Sequence, residues 1–307
     1  MSLVIRPCHD GGLTALRALA RDPSLAREFE PLQTDAGFDD LMGDPHLPRE
    51  LRWIAWLDGT PAGFCFCFLA PTHVGSFAMA RLGVVEPFRR RGVATALLAA
   101  TCAAIEPIRE RHGLRELSVS AWEANPAAEA FATRHGFRHA RDFWRMERPR
   151  GPVGTPVWPA GVSLRIFDGS EPALLDFNDA YNRAFAEHYH FMRTTPEETR
   201  AVVVQSHFRA DGVALAYRDA ACVGFCRNAR FGEAGEVAVI GTVPEARAIG
   251  LGRALLRWGV AWLQDDDASP IYLMVDGENE GALRLYRSEG FQVARTRHHW
   301  SRPVTGT

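Results

Sequence analysis

The chain contains an internal repeat, and this repeat limits the folds open to it more than any other feature. Three segments of the first half return in the second half in the same order. They are RRRGVA at 89–94 and RAIGLG at 247–252, NPAAEAFATRHGF at 125–137 and NEGALRLYRSEGF at 279–291, and Gly-Phe-Cys at 63–65 and 224–226. The distance between the members of each pair is nearly constant. The sequence therefore predicts two copies of one fold.

The boundary between the copies is visible in the segment PRGPVGTPVWPAG at 149–161. Proline and glycine at this density do not continue a helix or the interior of a sheet. We therefore expect a first domain at 1–149, a linker at 150–161 and a second domain at 162–307. The total of 307 residues is a normal length for two domains.

Residue patterns in the second half predict a mixed α/β sheet with flanking helices. The predicted strands cover 162–167, 213–217, 222–228, 236–243 and 271–275, with a closing strand from Phe291. The predicted helices cover 171–186, 251–263 and 282–289, with Ser170 as one N-cap and Thr195 starting a further helix.

Composition narrows the possible partners and compartment. The net charge is −2 and the pI about 6.6, so neither nucleic acid nor an anionic membrane is expected as the main partner. No cysteine pair has the C-x-x-C spacing of a zinc or redox site, and we predict no metal. Cys65 and Cys67 should face one side of a strand as buried thiols, which favours a reducing cytoplasm. We expect no signal peptide and no membrane-spanning segment.

A strand that ends near Val243 leads into a turn with Gly250 and Gly252 and then into a helix. The first turn of a helix offers unpaired backbone N–H groups to an anion, and glycine lets a phosphate approach them closely. Arg247 and Arg253 could add positive charge at this turn. The spacing matches neither a dinucleotide fingerprint nor a P-loop. Glycine needed only for the geometry of the turn is the alternative interpretation.

The segment R-x-x-G-x-G at Arg247, Gly250 and Gly252 resembles the acyl-CoA pyrophosphate loop of the GNAT acetyltransferase superfamily. R-x-x-G-x-A at Arg89, Gly92 and Ala94 is similar to the same loop. The resemblance implies two tandem GNAT-like domains, each a mixed, mostly antiparallel sheet with a splayed strand pair, and acetyl-CoA as co-substrate. The residues it assigns to the co-substrate in the second half are Thr242, Val243, Arg247, Ala248, Ile249, Gly250, Leu251, Gly252, Arg253 and Asn279. Those in the first half are Val84, Val85, Arg89, Arg90, Arg91, Gly92, Val93, Ala94 and Asn125.

A second family block, N-x-x-A-x-x-x-Y-x-x-x-G-F, is complete from Asn279 to Phe291 and lacks its tyrosine in the first half. Transfer to an amine requires that the amine lose a proton and that the thiolate gain one. The resemblance assigns these roles to Glu236 as base and Tyr286 as acid. Alanines occupy the corresponding positions of the first half, so we expect catalysis in the second half. Glu236 as an exposed strand residue, Tyr286 as a core aromatic and Asn279 as only a helix cap are the structural alternatives.

Tandem domains with a degenerate first copy also resemble the mycothiol synthase group, through Gly235-Glu236-Val237, Asn279 and Tyr286. The predicted function is acetyl transfer from acetyl-CoA to a primary amine of a small molecule in a ternary complex. A non-catalytic acyl-CoA sensor and a peptide or protein acetyltransferase remain open. The preserved pyrophosphate loops and the absence of a strong basic excess count against a transferase that uses aminoacyl-tRNA. His188, His190 and Phe191 follow the first helix of the second half, where they could line the acceptor site or pack on the core.

Overall fold

The structure, a computed structural model, describes residues 2–8, 12–72 and 75–304. The chain forms two compact units. The first contains the described residues up to Arg141 and from Arg297 onward, and the second runs from Asp142 to Thr296. Within the described part of the chain, no helix has both the length and the apolar character that a bilayer-spanning segment needs.

The first unit is a mixed sheet with the strand order β1-β2-β3-β4-β5-β12. Its strands are β1 (Leu3–Pro7), β2 (Arg52–Leu57), β3 (Thr60–Thr72), β4 (Gly75–Val84), β5 (Leu114–Trp122) and the end of β12 (Gln292–Pro303). Its helices are α1 (Leu13–Ala20), α2 (Asp35–Met42), α3 (Val93–Ile105) and α4 (Pro126–Arg134). Neighbouring strands are antiparallel except β4 and β5, which α3 connects as a parallel crossover.

The second unit repeats this topology with the strand order β6-β11-β10-β9-β8-β7. Its strands are the end of β6 (Arg138–Arg148), β7 (Val162–Ile166), β8 (Phe208–Arg218), β9 (Ala221–Phe231), β10 (Ala234–Thr242) and β11 (Ile271–Asp276). Its helices are α5 (Glu171–Phe185), α6 (Pro196–Val203), α7 (Leu251–Asp265) and α8 (Glu280–Ser288). Only β10 and β11 run parallel. The predicted fold class, a mixed and mostly antiparallel α/β sheet in two copies, is confirmed.

The two units exchange their closing strands. Residues 143–148 of β6, which belong to the first sequence repeat, pair with β11 of the second unit. Residues 297–303 of β12, which belong to the second repeat, pair with β5 of the first unit. The predicted ranges 1–149 and 162–307 therefore describe the repeat in the sequence, whereas the compact units differ from those ranges at both closing strands.

Strand β3 shows how one apolar run serves two cores. Cys65 and Cys67 are fully buried in the cluster that includes Leu97 of α3, while Phe64 and Phe66 point into the cluster beneath α1. The period-2 alternation of a strand produces this division. The prediction that the two cysteines face one side is confirmed, and both thiols are free.

Capping residues set the helix starts of the second unit. The Ser170 hydroxyl accepts from Ala173 N at 3.3 Å, and Thr195 and Glu198 form a complete capping box at the start of α6. The predicted helices and strands of this half are confirmed within a few residues at their ends. Residues 151–159 of the predicted linker adopt neither helix nor strand.

Candidate active site

The glycine turn of the second unit begins helix α7. Gly250 is the N-cap residue with a φ of +90°, a left-handed conformation that glycine adopts without a steric penalty. Among the described residues no side chain caps this helix, and nothing lies within 4 Å of the position that a Cβ of Gly250 would take. The backbone N–H groups of the first turn therefore remain open to an anion.

The first unit builds the same turn ahead of α3. Gly92 has a φ of +79°, and two residues before each glycine the chain is again left-handed, at Arg90 with +63° and at Ala248 with +62°. A 3-10 turn precedes both loops, at Glu86–Phe88 and at Pro244–Ala246. The two sequence motifs thus specify one backbone path.

The loop arginines hold the turns in place. Arg89 donates to Val84 O at 3.0 Å and Ser24 O at 2.9 Å, and Arg247 donates to Ala184 O at 3.1 Å and Glu187 Oε2 at 3.2 Å. Arg253 pairs with Glu289, the C-cap residue of α8. These guanidinium groups are therefore engaged by the protein itself, and their predicted contact with phosphate stays a prediction.

Strands β10 and β11 splay apart. They pair only at Gly235 with Ile271 and at Glu236 with Tyr272. Beyond Glu236, strand β10 continues to Thr242 and pairs within its unit with β9 alone among the described strands. A β-bulge at Ala238 bends β10 at the point where the pair separates. The result is a wedge whose β10 edge carries unpaired backbone groups and leads to the Gly250 turn.

In the first unit, the corresponding parallel pair remains joined further along. Strand β4 pairs with β5 as far as Ala80 and Val119. The residue that corresponds to Glu236 is Ala78, which is fully buried and paired with Leu117. The wedge of the first unit therefore opens later along the strand and has no carboxylate at the equivalent position.

Glu236 is the last residue of β10 that pairs with β11, so its carboxyl group lies where the wedge opens. Burial raises the pKa of Glu236 above its usual value, and this effect outweighs the positive charges of Arg227 and Arg145 and a hydrogen bond with Tyr272. A carboxylate with a raised pKa is a stronger base than an ordinary surface glutamate.

Tyr286 lies on the opposite face of the sheet. Cys226 of β9 faces α7, where a methyl group on Gly259 would come within 2.7 Å of its sulfur, and Tyr286 of α8 is close enough to Cys226 to interact electrostatically. Glu236 faces the other way, because its neighbour Val237 pairs with Asn228, which lies against Gly259 of α7. The wedge therefore has a phenol on one face and a carboxyl group on the other.

The Tyr286 hydroxyl makes no hydrogen bond to any described residue, although the side chain is only 7% exposed. Burial raises its pKa above the usual tyrosine value. The phenol therefore stays protonated through the neutral range and keeps a proton to donate. The corresponding residue of α4 in the first unit is Ala132, which is fully buried.

Asn125 and Asn279 are both helix N-caps. Each side chain accepts a backbone N–H at 3.1 Å, from Ala128 and Ala282 respectively. The structural role considered for Asn279 is therefore present. Their predicted contact with the co-substrate stays a prediction.

Sequence reasoning missed the surroundings of Glu236. Arg227 and Tyr181 lie on its face of the sheet, and Arg145 stacks on the Tyr272 ring with its guanidinium carbon 4.0 Å from the ring centroid. A charged residue within the apolar strand CVGFCRNA is a signal that could have identified Arg227. No local signal assigns Arg145 to this site, because its strand comes from the first repeat.

A family model described as the acetyltransferase (GNAT) family matches residues 14–137 and again residues 176–291. The chain belongs to the GNAT acetyltransferase family. Each matched segment contains one glycine turn and one asparagine-capped helix, so the family match covers both copies of the repeat. This GNAT protein is accordingly an N-acetyltransferase.

Named relatives agree with this assignment. The mycothiol acetyltransferase of Frankia casuarinae is 36% identical over 256 residues, which cover 76% of this chain and 72% of the relative. The mycothiol acetyltransferase of Thermobispora bispora is 36% identical over 293 residues, or 92% of each chain. A GCN5-related N-acetyltransferase from Sphaerobacter thermophilus superposes with a TM-score of 0.74 over 99% of this chain and 97% of its own, at 22% identity. That last likeness concerns the fold alone.

Proposed function

We propose that the second unit transfers the acetyl group of acetyl-CoA directly to a primary amine of a small molecule, within a ternary complex. The observation that carries this proposal is the position of Glu236 at the mouth of the wedge between β10 and β11. The unpaired edge of β10 can hydrogen-bond an extended amide-containing arm, and the N-terminus of α7 can hold the pyrophosphate. The edge of β10 and the N-terminus of α7 then hold one co-substrate molecule beside the carboxylate of Glu236.

Proton transfer follows from the two faces of the wedge. Glu236 accepts a proton from the incoming amine, whose nitrogen then attacks the thioester carbonyl. As the new C–N bond forms and the C–S bond breaks, Tyr286 donates its proton to the departing thiolate. The nitrogen releases its second proton as the tetrahedral intermediate collapses to the amide, and this proton replaces the one that Tyr286 has lost. A desolvated base and a protonated phenol suit these opposite tasks.

Direct transfer is favoured over an acetylated enzyme. The cysteine near Tyr286 is Cys226, which is fully buried, and burial raises its pKa. Such a thiol is a poor nucleophile, because the thiolate is the reactive form. The wild type should therefore show intersecting initial-velocity lines rather than the parallel lines of a ping-pong mechanism.

Calorimetric titration of acetyl-CoA tests which turn binds the co-substrate. The variants Gly250→Trp and Gly92→Trp form a matched pair, because both glycines are left-handed helix N-caps with open space beside them. We expect Gly250→Trp to abolish binding at the second unit, since an indole there blocks the helix N-terminus. Loss of one of two sites in Gly92→Trp would mean that the first unit also binds. Undiminished binding in Gly250→Trp would contradict the proposed site.

The Tyr286→Phe variant tests the proton donor. We expect kcat to fall by about 10²-fold, the lower end for general acid catalysis, because a thiolate leaves more readily than most groups. The affinity for acetyl-CoA should stay unchanged, since the variant keeps the buried ring against Phe291. Steady-state kinetics with calorimetry would show this, and an unchanged kcat would assign Tyr286 to the core alone.

A further inference from the structure

Arg227 occupies the face of the second sheet on which Glu236 lies. It pairs in register with Val239 of β10 and Val213 of β8, so it sits in the middle of the sheet. Its neighbours in the strand, Cys226 and Asn228, both lie against Gly259 of α7, and Arg227 therefore points to the opposite face. Tyr181 of α5 and Glu236 are the groups there that interact with its charge.

The guanidinium group of Arg227 has no hydrogen-bond partner among the described residues. Its Nη1 atom is enclosed without a partner, while the side chain as a whole is partly exposed. Burial lowers the pKa of Arg227, and the attraction of Glu236 opposes this effect without a hydrogen bond between the two groups. A buried charged donor without a partner is costly, so an anion bound here would be stabilised.

The other arginine that faces Glu236 already has a carboxylate partner. Arg145 lies over the Tyr272 ring, and its Nε is 2.8 Å from Glu147 Oε1. Of these two arginines, Arg227 is thus the one that forms no ion pair with a described residue. When the amine of an acceptor reaches Glu236, the substituent next to that amine lies near Arg227. This follows because Glu236 and Arg227 lie on adjoining strands of one face.

We propose that the acceptor carries a carboxylate next to its amine, as an α-amino acid does, and that Arg227 binds this carboxylate. The ammonium group of such an acceptor is attracted to Glu236, and its carboxylate to Arg227. Charge-assisted hydrogen bonds to a guanidinium group suit this recognition geometrically and energetically. The inference rests on the proposed acetyl transfer at Glu236 and adds the class of acceptor.

A panel of L-amino acids and their primary amides tests this inference, because each pair differs in the charge of one group. Binding is measured calorimetrically to the full-length protein saturated with CoA, and turnover is measured separately with acetyl-CoA. We expect the wild type to favour the acids over the amides by about 10- to 100-fold in affinity, the range for a hydrogen bond to a charged group. Arg227→Gln should remove this preference.

Arg230→Gln is the matched control on the same strand. Arg230 donates to Asp266 O at 3.0 Å and to Gly232 O at 3.1 Å, and this variant should keep the preference for the acids. O-Phosphoethanolamine serves as a further probe. If it binds more tightly than every amino acid, the group that Arg227 recognises is a phosphate and not a carboxylate, and the proposal is overturned.

The separate readouts distinguish the two proposals. Selective binding of the acids that depends on Arg227 supports the inference even where no probe is acetylated, and that result would count against the proposed transfer alone. Acetylation of acids and amides with equal efficiency would overturn the inference and leave the transfer intact. Equal affinity for acids and amides, or no binding of either at millimolar concentration, would also overturn it.

Discussion

The Glu236→Gln variant is expected to lower kcat by about 10²- to 10⁴-fold, the contribution typical of a positioned general base. The amide keeps the size of the side chain but cannot accept the proton of the amine. Acetyl-CoA affinity should be unchanged, because the Gly250 turn and the open edge of β10 are untouched. Glu233→Gln, on the exposed turn that leads into β10, is the control and should keep full activity.

The pH dependence of kcat/KM tests whether Glu236 is the base. Glu236 must be ionised to act as a base, so kcat/KM should fall as the pH drops through its pKa in the free enzyme. Because burial raises that pKa, the acidic limb should lie at a higher pH than an ordinary glutamate would give. The limb should vanish in Glu236→Gln. A variant that keeps full turnover, or keeps the same limb, would show that another group is the base.

The second large effect is expected on the stability of fragments, which depends on where the chain is divided. A fragment covering 142–296 contains every strand of the second unit, whereas one covering 162–307 lacks residues 143–148 of β6, which pair with β11. We expect the first fragment to unfold cooperatively and the second to fail to fold. Met146 is fully buried in the core of this unit, and Arg148 donates to Glu289 O at 2.9 Å. Removing a buried methionine side chain alone costs about 2–5 kcal/mol.

Thermal and denaturant unfolding of the two fragments would decide this point, since they have similar lengths. Equal stability of the two fragments would mean that β6 contributes little to the second unit. In the full chain, Trp300→Ala tests the contribution of β12 to the first unit in the same way. Trp300 is 7% exposed in the core of that unit, so we expect this substitution to destabilise it.

Much of the fold could be predicted because its signals are local. The glycines at 92 and 250, the caps at Ser170 and Thr195 and the alternation of Cys65 with Phe66 each act within a few residues. Glu236 could be proposed as well, since it stands on the strand that enters the glycine turn.

The exchange of closing strands could not be predicted. Strands β6 and β12 follow the equivalent helices α4 and α8, so the order of elements does not tell which sheet each strand joins. Which sheet a strand joins depends on contacts across more than 100 residues of sequence, such as Met146 beside Leu273. Arg145 was missed for this reason. Arg227 was missed because its proximity to Glu236 depends on how β9 pairs with β10.

The position of Arg145 matters for chimaeras that are made to transfer acceptor preference from one member of this family to another. Arg145 stacks on Tyr272 beside Glu236, although it stands before the Pro- and Gly-rich segment that separates the repeats. A chimaera that grafts only the second repeat would combine the donor's β10 with the recipient's β6. The proposed acceptor surface would then be a hybrid, so a graft that keeps this surface together begins at Asp142 and ends at Thr296.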